Sequence, residues 1–194
     1  MINLITLLRV ILLAPLVWLL VTAGKSWAVE GIFIAAGISD WADGWLARRL
    51  GQTSKFGAML DQICDKIFIT GTLVAMVAAG MFGKAMIRVA PVFLIIAREF
   101  AVSGWREYAA QMGRAVPVDK LGKIKTITQF VAIACWLCPP IADDPDPQWL
   151  QSVQMYIVLI ALFGLWLAAI LGIISAVNYF RAGAQKVPVK SSAE

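Results

Sequence analysis

Long apolar runs fall near residues 4–23, 28–47, 62–82, 86–108, 125–142 and 153–178, separated by short polar connections. A helix rises about 1.5 Å per residue and hydrocarbon is about 30 Å thick, so roughly 20 helical residues cross a bilayer. The pattern predicts an all-α integral membrane protein with six transmembrane helices in one bundle. No hydrophilic stretch is long enough for a separate module. Residues 1–182 are expected to form the membrane domain and residues 183–194 a flexible cytoplasmic tail.

Met1-Ile2-Asn3-Leu4 lacks the basic segment of a signal peptide, so the first run is expected to be a retained helix. Its first turns carry Asn3, Thr6 and Arg9 at three-residue spacing, a polar stripe that suits an N-terminal interfacial helix at the membrane surface.

Six crossings put both termini on one side. That side collects Arg9, Arg48, Arg49, Lys55, Lys66, Arg114, Lys120, Lys123, Lys125, Arg181, Lys186 and Lys190. The opposite connections hold Lys25, Lys84, Arg88 and the acidic Asp143-Asp144-Pro145-Asp146. Basic residues mark the cytoplasmic face, so both termini are expected there, with a bacterial inner membrane as the location. The net charge of +5 suits anionic headgroups and substrates. It does not form the solvent-facing tract with interleaved aromatics that a nucleic-acid surface needs.

Sixty per cent of the 194 residues are hydrophobic, and none is histidine. Ser-His and Cys-His nucleophilic sites and histidine-ligated zinc are therefore excluded. Cys135 and Cys138 have the spacing of a redox or metal pair, but there is no second pair, and apolar packing explains them as well.

The carboxylates are what a bilayer helix should avoid. Asp40, Asp43, Asp61 and Asp65 lie at or inside the ends of the second and third crossings, and each costs about 2.5–3.5 kcal/mol at a membrane helix centre, less near the surface. Asp40 and Asp43 are three residues apart and Asp61 and Asp65 four apart, so each pair shares a helix face. Four converging carboxylates cannot all stay ionised without cations, and hard oxygens select Mg²⁺, Mn²⁺ or Ca²⁺. Gly44 and Gly57 leave room for a ligand at the backbone, and Arg48 and Lys55 can hold phosphate oxygens. Taken singly, such glycines also serve helix packing and such arginines also set topology.

In sequence these residues read D-x2-D-G-x2-A-R-x8-G-x3-D-x3-D, from Asp40 through Asp43, Gly44, Ala47, Arg48, Gly57 and Asp61 to Asp65. The pattern resembles the motif of the CDP-alcohol phosphotransferases, and the six-crossing layout agrees with that family. The resemblance implies Asp40, Asp43, Asp61 and Asp65 as ligands of Mg²⁺ or Mn²⁺, with Asp65 also the proton acceptor. It implies contacts to the CDP-linked lipid from Asp40, Gly44, Ala47, Arg48, Ser54, Lys55 and Gly57. It also suggests a homodimer.

Two further segments bear on the acceptor. Arg98 and Arg106, eight residues apart, lie about 80° apart around one helix and can flank one cavity. They either pair with Glu99 and Glu107 or, with Lys123, receive a phosphorylated alcohol. Asn3-x2-Thr6-x2-Arg9, the Arg98-Glu99 and Arg106-Glu107 repeat and Gly122-Lys123-x-Lys125-Thr126 together resemble the phosphatidylglycerophosphate synthase branch. That resemblance implies transfer of a phosphatidyl group from CDP-diacylglycerol to the 1-hydroxyl of glycerol 3-phosphate, bound by Thr6, Arg98, Arg106 and Lys123. Gln62 departs from the proline that many members of the branch carry after the third aspartate, a change that bears on helix shape more than on chemistry. A sibling enzyme using inositol phosphate, serine or phosphatidylglycerol remains an alternative, as does a divalent-cation transporter whose acids line an ion path.

Overall fold

The computed structural model describes residues 2–50, 55–112, 120–140 and 148–184, without side chains at 2–6, 41, 43–50, 55, 58, 120, 121, 123, 148 and 182–184. Among the described residues the chain is six helices and no strand: α1 (Ile2–Ala23), α2 (Trp27–Leu50), α3 (Lys55–Ala78), α4 (Met86–Gln111), α5 (Lys120–Leu137) and α6 (Gln148–Ala184).

Local chemistry sets the turns. Gly24, at φ +71°, ends α1, and the Ser26 hydroxyl accepts from the Val29 N–H (3.3 Å) to cap α2. Helix α3 stops at Ala78, short of the expected 82, because Gly80 at φ +69° closes it. The Gly80 N–H reaches the Val77 carbonyl (3.0 Å) and the Met81 N–H the Met76 carbonyl (3.1 Å), the paired bonds of a Schellman stop. Pro91, inside α4, cannot donate to the carbonyl of Ile87 one turn back; the indole N–H of Trp166 on α6 donates there instead, at 2.9 Å.

Helix α1 packs on α2 and α3, α6 packs on α4 and α5, and α2 meets α5 across the middle. Phe33 of α2 stacks between Phe68 of α3 (5.7 Å between centroids) and Phe130 of α5 (4.7 Å), joining the two halves. Small residues bring helices close: a Cβ on Gly37 would lie 2.2 Å from the Phe130 ring, and one on Gly164 would lie 2.8 Å from the Cβ of Ala132.

Trp149–Arg181 is long and apolar enough to cross a membrane, and only 28% of its most apolar stretch is buried in the fold. Phe163, Ile170 and Ile174 on it are all exposed, as in a helix solvated by lipid. Helices α2, α3 and α4 are interrupted instead by the charges that build the site described next.

Candidate active site

Asp40, midway along α2, faces Asp61 and Asp65, one turn apart on α3. Between them comes Arg9 of α1. Its Nη2 lies 2.5 Å from Oδ1 of Asp40 and its Nη1 3.8 Å from Oδ1 of Asp61. The Arg9 side chain is 2% exposed, whereas Asp40 and Asp61 are 42% and 52% exposed. Arg9 is therefore an interior residue of the acid cluster and not an anchor at the membrane surface, which corrects the expectation from the three-residue stripe. An arginine never gives up its charge, so a buried one is drawn to carboxylates. The other two members of the stripe, Asn3 and Thr6, have side chains outside the described residues. The interfacial segment is not set off from the rest of the helix: α1 runs unbroken from Ile2.

Two cavities meet at Asp65. The smaller, about 190 Å³, is walled by Arg9, Gly37, Asp40, Asp65, Phe68 and Phe130. The larger, about 490 Å³, is walled by Asp65, Lys66, Arg98, Glu99, Ser103, Arg106, Lys125, Gln129 and Tyr179, among others. Four cations there face two carboxylates, Asp65 and Glu99, so the chamber as built favours an anion of more than one charge.

The four cations come from three helices, Lys66 from α3, Arg98 and Arg106 from α4 and Lys125 from α5. Arg98 donates from Nε to the carbonyl of Gly172 on α6 (3.0 Å) and pairs through Nη1 with Glu99 (2.9 Å). Lys125 of α5 pairs with the same carboxylate oxygen of Glu99. Lys66, directly after Asp65, donates to the Ser103 hydroxyl, which donates to the Glu99 carbonyl at 2.6 Å. Trp105 fixes the wall of α6 by donating to the Tyr179 carbonyl at 3.2 Å. Arg98 is thus ion-paired to Glu99 while it also lines the chamber.

Of the expected site residues, Asp40, Asp61 and Asp65 come together on the donor side, and Arg98 and Arg106 share the larger cavity. Gly57 lies one turn before Asp61 on α3. Ser54 lies outside the described residues, as do the side chains of Thr6, Asp43, Ala47, Arg48, Lys55 and Lys123; Gly44 belongs to the helical stretch whose surroundings are equally undescribed. The sequence set Lys66 among the topology charges, and Lys125 both there and in the segment 122–126, without giving either a part in the cavity. The missed signal was burial: Lys125 is 4% exposed, in a run apolar enough to call for a partner for any charge.

The donor set of Asp40, Asp61 and Asp65 is all carboxylate oxygen, with two members reachable from solvent, which fits Mg²⁺ or Mn²⁺ and no soft metal. No three acids among the described residues already close on a single point, and Asp43 completes the expected set.

A model of the CDP-alcohol phosphatidyltransferase family matches residues 1–178. The chain belongs to that family. A CDP-diacylglycerol–glycerol-3-phosphate 3-phosphatidyltransferase of Shigella flexneri serotype 5b is 37% identical over 184 residues, covering 93% of this chain and 92% of the relative. The enzyme of the same name from Escherichia coli K12 is 36% identical over the same coverage. Among solved structures, phosphatidylinositol phosphate synthase of Mycobacterium tuberculosis, in complex with manganese and citrate, superposes with a TM-score of 0.67. It is 16% identical, and the match covers 100% of this chain and 87% of that one, so it shows the shared fold. The phosphatidyltransferase fold therefore carries the acid cluster and the basic chamber side by side.

Proposed function

We infer that this chain transfers a phosphatidyl group from CDP-diacylglycerol to the 1-hydroxyl of glycerol 3-phosphate, releasing phosphatidylglycerophosphate and CMP. One observation carries the reading: Asp65 lines both the acid-rich cavity and the chamber with four cations. The names of the relatives, at 36–37% identity over most of the chain, point to the same reaction.

On the donor side, Asp40, Asp43, Asp61 and Asp65 would hold Mg²⁺ or Mn²⁺. Gly44, Ala47, Arg48, Ser54, Lys55 and Gly57 would contact the CDP-linked lipid. The divalent ion, when bound, offsets negative charge on the pyrophosphate oxygens. On the acceptor side, Arg98 and Arg106, joined by Lys66 and Lys125, would seat the phosphate of glycerol 3-phosphate, with Thr6 and Lys123 beside them. Glu99 keeps Arg98 and Lys125 from repelling each other and fixes their direction.

Docked so, the 1-hydroxyl of the acceptor faces Asp65, whose carboxylate takes its proton. The oxygen forms its bond to the lipid-linked phosphorus as the bond from that phosphorus to the bridging oxygen of CMP breaks. Val102, Ile127 and Ile69 supply apolar wall to the chamber.

The same reading includes six crossings, both termini and the active site on the cytoplasmic side of a bacterial inner membrane, a domain of residues 1–182 with a short tail, and a homodimer. Helices of 18 to 37 residues support the crossings by length, although among the described residues only Trp149–Arg181 is both long and apolar enough to cross by itself.

An acceptor panel tests the function. Purified protein with CDP-diacylglycerol and Mn²⁺ is offered glycerol 3-phosphate, inositol phosphate, serine and phosphatidylglycerol in turn, and the lipid products are weighed by mass spectrometry. Product from glycerol 3-phosphate alone is expected; turnover with another alcohol in its place would move the assignment to a sibling enzyme.

A further inference from the structure

Arg9 stands on an otherwise apolar stretch of α1, yet its guanidinium is buried against acids from two other helices. Among the described residues, no oriented hydrogen bond reaches its Nε, Nη1 or Nη2. Its charge is offset by Asp40 and Asp61, at 2.5 Å and 3.8 Å. A buried charge cannot be left unpaired cheaply, so Arg9 depends on the same oxygens that a divalent cation would take.

Asp40 and Asp61 have a matching need. They come from different helices, and side by side they would repel each other without a cation. Arg9 supplies that cation from within the chain, and in doing so ties the ends of α1, α2 and α3 together.

We propose that Arg9 is an exchangeable counter-ion of the acid cluster, competing with the divalent metal for Asp40 and Asp61. This rests on the metal-dependent reading of the site. Metal entry then draws Asp40 away from the guanidinium, and the freed positive charge stays beside the cavity where the anionic pyrophosphate is to bind. Arg9 in this role is a positioning residue: it sets the acids before the metal arrives and lowers the apparent affinity for the metal by the strength of its own pairing.

The test is Mn²⁺ titration of the purified full chain in detergent by isothermal calorimetry, with thermal midpoints in EDTA and in saturating Mn²⁺. Arg9→Gln removes the competitor. The expected result is a Kd for Mn²⁺ about tenfold tighter than in the unsubstituted chain, within the range of ordinary coupling between two ligands. The midpoint in EDTA should fall, and the rise on adding Mn²⁺ should exceed that of the unsubstituted chain.

An Arg9 that only holds the acids in place would loosen metal binding when removed, and one that only repels the cation through space would leave the Kd of Arg9→Lys unaltered. An unchanged or weaker Kd in Arg9→Gln, with Mn²⁺ binding intact in the unsubstituted chain, overturns the proposal and leaves the metal reading standing. Absence of Mn²⁺ binding in the folded, unsubstituted chain overturns both. Arg9→Lys keeps the charge but loses the forked geometry, and its Kd should fall between the other two. If Arg9→Gln fails to fold, an unaltered Kd in Arg9→Lys overturns the proposal.

Discussion

The Nε–H of Arg98 on α4 donates to the backbone carbonyl of Gly172 on α6, over 3.0 Å. The fit is close, since a Cβ at 172 would lie 3.3 Å from Cδ of Arg98 and 3.4 Å from Nε, so that the arginine stem would have to give by a few tenths of an ångström. Gly172→Val therefore pushes the guanidinium off its anchor without removing it. The expected outcome is a rise of about tenfold in KM for glycerol 3-phosphate, the worth of one charge-assisted contact. KM for CDP-diacylglycerol should hold, and steady-state kinetics with each substrate varied in turn checks both.

Arg106 reaches the same chamber with no ion-pair partner among the described residues. Arg106→Ala should raise KM for glycerol 3-phosphate by about tenfold or more, as expected for loss of a hydrogen-bonded charge. An unaltered KM in the same kinetic assay would return Arg106 to a structural role.

Asp65→Asn keeps the size of the side chain and removes its capacity to accept the proton. Turnover should drop by at least about 10²-fold, the lower end of what a positioned base contributes, while the protein still purifies as a folded membrane species. Near-normal turnover in a CMP-release assay would remove Asp65 from the role of base.

Trp166 covers the carbonyl that Pro91 leaves free at Ile87. Trp166→Phe keeps most of the packing and loses the donor, so stability should fall by about 0.6–1.5 kcal/mol. Unfolding in mixed detergent reads this directly, and catalysis in the folded fraction should be unaltered because Trp166 touches neither cavity.

The helices were legible from apolar run length: α1, α2 and α4 lie within three residues of their runs, while the ends of α3, α5 and α6 depart from theirs by four to seven. The C-terminal end of α3 falls short of its run because Gly80 stops the helix by a positive φ, a backbone property that hydropathy does not carry. The aspartates were legible because a carboxylate in an apolar helix calls for a function. Arg9 was not: its three-residue spacing to Thr6 and Asn3 suggested a surface stripe, and only the approach of α2 and α3 reveals that it points inward. Lys66 was lost among the basic residues that set topology, because no single-sequence pattern separates a lysine facing headgroups from one that donates to Ser103 on a neighbouring helix. Lys125 was legible as part of the segment 122–126 but not as the partner of Glu99.

The central claim is that Asp65 stands between a metal-held CDP-lipid and a phosphorylated alcohol. Its most direct test is release of CMP from CDP-diacylglycerol by the purified protein, with and without glycerol 3-phosphate, in Mn²⁺ and after EDTA treatment. The expected result is release that needs both glycerol 3-phosphate and the metal, and that returns when Mn²⁺ is restored. Release that proceeds equally without glycerol 3-phosphate, or that survives EDTA in full, would contradict it.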